Sequence, residues 1–346
     1  MEAKLGAARS FVFDYCRSHA ILSGASIREE KIRATATRSR KEKPGVTQIR
    51  IGPAGWSYAD WNGIAYPKRR PPEFHEAAYL AGYFDTIEIN TSFYQPLRPG
   101  NCKRWLEQVS SNPRFLFTAK LWQKFTHELS SDPEDERAVR AGFDPLREAG
   151  KLGAVLLQFP FSFHHTKENL AYLKKLLQRF ADYPLVVEVR HATWNEPKFH
   201  ELLAEQGVSF CNIDQPIIGR SLKPSERATG PIGYVRLHGR RYDTWFADEP
   251  EKLSSERYNY LYSSEELEPW LERIRRLEED ASTIFVILNN HPEAKALVNA
   301  FQILYRLTRQ KLKIPEPLLA RYPELEEIST QPLQEPSLFP APKKAR

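Results

Sequence analysis

Leu185-Val186-Val187-Glu188-Val189-Arg190-His191 is a short apolar run that ends in an acid, a guanidinium and an imidazole. The run predicts a short buried strand. Burying its charged groups without partners costs several kcal/mol, so these groups must pair with one another or face a cleft. The stretch therefore predicts a strand that leads into a site.

Seven other segments share this order of apolar residues first and polar residues last. They are 48–56, 86–93, 114–121, 154–160, 208–214, 233–239 and 283–290. Helical patterns separate them, at 72–84, 101–109, 133–149, 167–180, 195–206, 264–279 and 291–308. Alternating strands and helices predict parallel βαβ units, and eight strands can close a single (β/α)8 TIM-type barrel. A doubly wound open sheet is the alternative, although the sequence lacks the GxGxxG and Walker motifs of nucleotide-binding folds.

The charge of the chain is concentrated in its ends. The net charge is +6, but residues 1–47 hold ten Lys/Arg against five Asp/Glu, and residues 331–346 hold three against one. The part between them is close to neutral, which weakens any inference from the high pI to a basic nucleic-acid groove. We predict a basic, disordered N-terminal arm (1–47), a barrel (48–308) and a proline-rich, flexible C-terminal tail (309–346), with a short helix near 317–322 that packs back.

The spacing of the cysteines and the hydropathy of the chain indicate where in the cell the protein is located. Cys16, Cys102 and Cys211 are widely spaced and form no CxxC, which favours a reducing cytoplasm and argues against a metal site built from cysteines. No apolar run reaches the roughly 18 to 20 residues that span a bilayer. We therefore expect a soluble cytoplasmic protein with no membrane partner.

Strand alternation predicts which polar groups face the barrel interior, because every second side chain points inward. On three strands this rule turns Glu88 with Asn90, Glu188 with Arg190, and Arg236 with His238 inward. The carboxyl ends of the strands form the functional face of such barrels. We predict catalytic roles for Glu88, Glu188, His191 and His238. The predicted substrate-binding residues are Asn90, Tyr94, Lys120, Gln158, Arg190, Trp194, Asp214, Arg236, Asn289 and Asn290.

These residue types suit acid and base chemistry on an anion. Glu88 and Glu188 can serve as base and acid if their surroundings separate their pKa values. Arginine grips phosphate or carboxylate with two parallel hydrogen bonds, and histidine moves protons near neutral pH. The expected activity is that of a hydrolase, lyase or isomerase acting on a small anionic molecule, with no cofactor implied.

Two alternatives remain open from the residues alone. Glu88, Glu188, Asp214, His191 and His238 are the ligand types of divalent metal centres, which would suit a phosphodiester hydrolase acting on nucleic acid, by fold analogy with endonuclease IV-type barrels. Against a metal, the sequence has no HxH or HExxH, and Arg190 and Arg236 would repel a cation. Alternatively, the charged strand ends are internal ion pairs of a non-catalytic binding module.

The order of these motifs resembles the YecE-like family, catalogued as domain of unknown function 72. The resemblance spans about Ile49 to Tyr305. The motifs that carry it are, in chain order, Gly55-Trp56-Ser57-Tyr58 with Trp61 and Tyr66-Pro67, Tyr83-Phe84, Glu88 to Tyr94, Lys120 with Thr126-His127, Gly153 with Leu157-Gln158-Phe159-Pro160, Glu188-Val189-Arg190-His191 with Trp194, Tyr234 to Gly239, and Asn289-Asn290 with Ala296 and Asn299-Ala300. It implies a TIM-type barrel and no established reaction, cofactor or catalytic assignment. One departure is His291-Pro292-Glu293, where the family often has Asp and small residues.

Overall fold

The computed structural model describes residues 46–130, 132–243, 245 and 256–331. Almost all of the predicted N-terminal arm therefore lies outside the described residues. Within them, no helix is both long and apolar enough to span a membrane.

Eight parallel strands form the centre of the fold, as the sequence predicted. They are β1 (Gln48–Pro53), β2 (Thr86–Ile89), β3 (Leu116–Lys120), β4 (Leu152–Gln158), β5 (Leu185–Glu188), β6 (Ser209–Asp214), β7 (Ile232–Leu237) and β8 (Thr283–Leu288). Each strand pairs in parallel with the next along the chain, from β2 to β8, and β8 pairs with β1. The ring is completed where Ala54 bridges Glu88 and the Gly55 N–H donates to the Glu88 carbonyl at 2.8 Å. The prediction of a TIM-type barrel is confirmed.

Helices follow the strands along the chain, and the longer ones cover the outside of the ring. They are α1 (Glu76–Ala81), α2 (Thr91–Tyr94), α3 (Pro99–Gln108), α4 (Gln123–Thr126), α5 (Pro133–Glu148), α6 (Lys167–Arg179), α7 (Pro197–Glu205), α8 (Ser264–Leu277), α9 (Lys295–Thr308) and α10 (Glu316–Arg321). Side-chain caps explain where α5 and α8 begin. Asp132 caps α5 by accepting from the Glu134 N–H, and Ser263 with Glu266 forms a capping box at α8.

The core lies between the helices and the outer face of the barrel. Helix α8 buries an apolar stripe at helical spacing, consisting of Leu267, Trp270, Leu271, Ile274 and Leu277. On the strands, Ile87, Val187 and Val235 are completely buried. Full burial of one such side chain stabilises the fold by about 1.5–3 kcal/mol. This packing makes the barrel a rigid support for the polar groups at the strand ends.

Part of the predicted C-terminal tail is folded against the barrel. Helix α10 and the 3-10 turn Pro323–Ile328 bury Leu318, Leu319 and Leu325. The Leu312 N–H donates to the Ile328 carbonyl at 2.8 Å. Residues 312–330 are therefore folded, whereas residues 332–346 lie outside the described residues.

Candidate functional site

Arg236 is the centre of the polar barrel interior. It lies on β7, is completely buried, and bonds two carboxylates from different strands. Its Nη2 donates to Glu88 Oε1 at 2.7 Å, and its Nη1 donates to Glu188 Oε2 at 2.5 Å. Both glutamates are completely buried as well. We call Glu88, Arg236 and Glu188 the central ion cluster.

Neutral groups complete the hydrogen bonding of this cluster. The Tyr234 hydroxyl donates to Glu88 Oε2 at 3.0 Å and lies 2.9 Å from Thr118 Oγ1. Gln158 Oε1 accepts from Arg236 Nη1 at 3.0 Å. Tyr234 and Thr118 were missed by the sequence analysis, although each lies two positions before a residue that was selected, Arg236 and Lys120. The period of two along a strand was the signal that could have found them.

The surroundings hold Glu188 in its ionised form. Burial alone would raise the pKa of Glu188, but Arg236, His238 and Arg190 beside it lower that pKa well below the usual value. Arg190 contributes by donating from Nε and Nη2 to Glu188 Oε1, at 3.1 and 3.0 Å. Glu188 is thus a fixed anion at neutral pH, able to accept hydrogen bonds and unsuited to donating a proton.

His238 is a neutral imidazole in this arrangement. Asn289 Nδ2 lies 3.0 Å from its Nδ1, and Arg236 Nη1 lies 3.5 Å from its Nε2. Nε2 lies 3.3 Å from Glu188 Oε1. Burial, with Arg236 nearby, lowers the pKa of His238 to about 3. His238 is therefore an uncharged imidazole in contact with both Arg236 and Glu188.

Two cations border the central ion cluster without being fully enclosed. Lys120 is 9% exposed, and its Nζ lies 3.9 Å from Glu88 Oε1. Burial foremost, and then Arg236, lower the pKa of Lys120 to about 8. The Arg190 side chain keeps 15% of its surface exposed. Three cationic groups against two carboxylates leave one positive charge in excess, which favours an anion at this face.

A second group of side chains lies near Lys120 at the ends of β1, β2 and β8. Tyr58 stacks on His291 with ring centroids 4.3 Å apart, and the Asn90 amide donates to the Tyr58 hydroxyl at 3.2 Å. Burial foremost lowers the pKa of His291 to about 4, and the charge of Lys120 contributes. Asn90 Oδ1 and His291 Nδ1 are buried and have no hydrogen-bond partner among the described residues. Unpaired buried polar atoms are costly, so these two atoms are candidate ligand contacts.

Some predicted site residues are not brought to this cluster. Asp214 accepts from Arg240 Nε at 2.8 Å and from the Trp270 indole on α8. The inward face of β6 carries Cys211 instead, whose Sγ lies 3.9 Å from Glu188 Oε2. Asp214, three positions later, has the opposite parity and meets the helix layer.

Three more predicted residues lie apart from the cluster, His191 and Asn290 by the same parity argument and Trp194 because it lies in the 3-10 turn Ala192–Trp194. His191 follows the outward-facing Val187 and Val189, and its Nδ1 lies 2.9 Å from Thr193 Oγ1. The Trp194 indole donates to the Phe163 carbonyl at 2.6 Å within the core. Asn290, one position after the inward Asn289, donates to Asn299 Oδ1 at 2.8 Å. All three have structural partners outside the central ion cluster.

Tyr94 lies at the outer edge of this face. It is 68% exposed, and its ring contacts Phe93 at 5.2 Å between centroids. Phe93 in turn lies under the Lys120 amine, 5.4 Å from it. Tyr94 is therefore available to a ligand that reaches beyond Lys120.

The donor geometry does not resemble a metal centre. Among the residues that the structure describes, no three His, Cys, Asp or Glu side chains are grouped so that they could hold a metal ion. The two inward glutamates are each bonded to Arg236, which occupies the place between them that a cation would need.

The fold and these residues define a TIM-barrel protein with a charged site at the carboxyl ends of its strands. The chain belongs to the family described as protein of unknown function DUF72, whose family model matches residues 50–323. The resemblance seen in the sequence is thereby confirmed.

Relatives in sequence and structure agree with this assignment. The UPF0759 protein YunF of Bacillus subtilis (strain 168) is 32% identical over 271 residues, covering 74% of this chain and 93% of YunF. A DUF72 family protein from Thermotoga maritima has 30% identity and a TM-score of 0.65, with 75% of this chain and 99% of that chain covered. A DUF72 family protein from Enterococcus faecalis has 26% identity and a TM-score of 0.66, with 78% and 98% covered.

Proposed function

We propose that this protein is an enzyme that binds a small phosphate- or carboxylate-bearing molecule at the carboxyl end of the barrel and transfers protons on it without a metal. The observation that carries the proposal is the partial exposure of Lys120 and Arg190 beside a buried network with an excess positive charge. We also propose that it works in the cytoplasm, consistent with the free, buried Cys102 and Cys211.

The geometry supports a particular division of roles. Glu188 uses Nε and Nη2 of Arg190, which leaves Nη1 of that guanidinium for an anionic ligand. Lys120, with a pKa of about 8, is better suited to proton transfer than Glu188, whose pKa lies well below its usual value. Glu88 and Glu188, to which sequence reasoning assigned the acid and base roles, would hold the cations in place, and His238 would orient Glu188.

The alternative, a non-catalytic module with internal ion pairs, explains the central ion cluster but not the state of Lys120 and Asn90 beside it. It gives no reason why, among the residues that the structure describes, the Lys120 amine has no hydrogen-bond acceptor and the buried Asn90 Oδ1 has no partner. A ligand in the same cleft accounts for both features. The geometry of the glutamates likewise favours the metal-independent proposal over the metal-assisted hydrolase.

The test is a ligand screen on the natively purified protein. Small molecules released on denaturation are identified by mass spectrometry, and phosphorylated and carboxylated metabolites are screened by thermal shift. We expect an anion to stabilise the wild type and to lose that effect in Arg190→Gln, while the exposed Arg104→Gln control responds like the wild type. Equal stabilisation of all three proteins, or of none, would overturn the proposal.

A further inference from the structure

Lys120 is fixed to the barrel by its backbone. Its N–H donates to Ser92 Oγ at 3.0 Å, and the Ser92 hydroxyl donates to the Ile89 carbonyl at 2.8 Å. The end of β3 is thus tied to the end of β2. The lysine side chain therefore starts from a defined position beside Glu88, as a reacting group requires.

The Lys120 amine itself is loosely held. Glu88 Oε1, at 3.9 Å, is beyond hydrogen-bond distance, and within the described ranges no acceptor bonds Nζ. The oxygens of Glu88 are instead bonded by Arg236 and Tyr234. A buried lysine that only balanced charge would be expected to bond its carboxylate directly. The N–H donors of Lys120 are therefore left available to a ligand, and so is the lone pair of its neutral form.

We propose that the Lys120 amine is the nucleophile of the site and forms an imine with the aldehyde or ketone carbon of an anionic substrate. This inference rests on the proposed function, because an anion bound at Arg190 would bring the carbonyl group to Nζ. It narrows the substrate class to phosphorylated or carboxylated aldehydes and ketones.

The covalent step balances without any other reagent. The Nζ lone pair attacks the carbonyl carbon, a C–N bond forms, and the carbonyl oxygen takes the proton that the nitrogen loses. The hydroxyl group then takes up, through the solvent, the proton that the Lys120 ammonium gave up when it became the amine, and it leaves as water. A protonated imine remains, so that an ammonium and a carbonyl have given a protonated imine and water. The positive imine would stay beside Glu88, which stabilises the charge.

The protonation state of Lys120 is compatible with this chemistry. An ammonium group has no lone pair, so an amine nucleophile must be partly neutral at the working pH. Burial and the neighbouring Arg236 lower the pKa of Lys120 to about 8, which leaves an appreciable neutral fraction near neutral pH. Lysines shielded from water are activated in this way.

The test is reductive trapping. The wild-type protein is incubated with glyoxylate or with dihydroxyacetone phosphate in the presence of sodium cyanoborohydride, and modified lysines are located by peptide mass spectrometry. We expect a single reduced adduct on Lys120, which increases as the pH rises through about 8 and is reduced by competing inorganic phosphate. Lys120→Arg should lose the adduct, and the exposed Lys175→Arg should retain it.

Two results separate this inference from the proposal on which it depends. The imine proposal would be wrong if adducts were spread over surface lysines. It would also be wrong if no adduct formed while anions still stabilised the protein through Arg190, and in that case the anion-binding proposal would stand. Failure of both trapping and anion stabilisation would overturn the proposed function as well. Because the trapping is scored on the wild type, misfolding of a variant cannot decide it.

Discussion

Arg236 Nη1 on β7 lies 2.5 Å from Glu188 Oε2 on β5, although the two residues are 48 positions apart in the sequence. Both side chains are completely buried. The same guanidinium also bonds Glu88, so one cation holds two buried carboxylates in place inside the barrel.

Removal of Arg236 should destabilise the fold strongly. Arg236→Met leaves Glu88 and Glu188 buried without their main partner, which costs about 3–5 kcal/mol in the free energy of unfolding. Urea denaturation measures this value, with Arg104→Met as the control. Adding Glu88→Gln and Glu188→Gln to the variant should recover part of the loss. A decrease below about 1 kcal/mol would contradict the burial of an unpaired charge.

Acid should destabilise the protein through Glu188. Its pKa is lowered in the folded protein, so its stabilising contribution is present above the unfolded value near 4.5 and is lost as the pH falls through the lower folded value. The unfolding free energy of the wild type should therefore fall more steeply below about pH 5 than that of Glu188→Gln. Parallel pH dependences for the two proteins would show that Glu188 titrates normally.

His238 should make the stability of the fold depend on pH in a higher range than Glu188 does. It is neutral in the folded protein, with a pKa of about 3, and takes up a proton on unfolding below its ordinary value of 6.5. Stability is therefore fully present above pH 6.5 and falls toward pH 3, by up to about 1.4 kcal/mol per pH unit. His238→Gln should reduce that slope between about pH 4 and 6, as measured by denaturation at each pH. An NMR titration that shows a protonated His238 ring at about pH 5 would exclude this explanation.

Lys120 should destabilise the folded protein at neutral pH. Its folded pKa of about 8 is below its ordinary value of 10.5, so at neutral pH the buried ammonium destabilises the fold, and this penalty diminishes as the pH rises through that interval. Lys120→Met should raise the unfolding free energy at neutral pH by roughly 1–3 kcal/mol and abolish the trapping reaction. The gain should shrink near pH 10, and Lys175→Met should show no such pH dependence. A Lys120→Met variant that is less stable at neutral pH would mean that the ammonium is a structural counterion for Glu88.

Much of the fold was determined by local sequence. Each strand carries an apolar run that ends in polar groups, and eight such runs separated by amphipathic helices have few ways to bury their apolar faces other than a closed barrel. The period of two also predicted that Glu88, Glu188 and Arg236 face inward, and the buried ion pairs among them agree with this. These features depend on neighbours a few positions apart, which a single sequence displays directly.

The tertiary structure decided which of the polar groups meet. Asp214 and Asn290 end their strands with the right chemistry but face the helices, because the inward positions of β6 and β8 are those of Cys211 and Asn289. The stacking of Tyr58 on His291 joins loops that follow the first and last strands, which only closure of the ring brings together. The sequence alone determined the eight alternating strands and helices and the types of residue at the carboxyl ends of the strands, since both follow from local periodicity. The tertiary structure decided the pairing of Arg236 with two glutamates and the loosely held Lys120 amine, since those depend on distances between strands that the chain reaches only after it has closed.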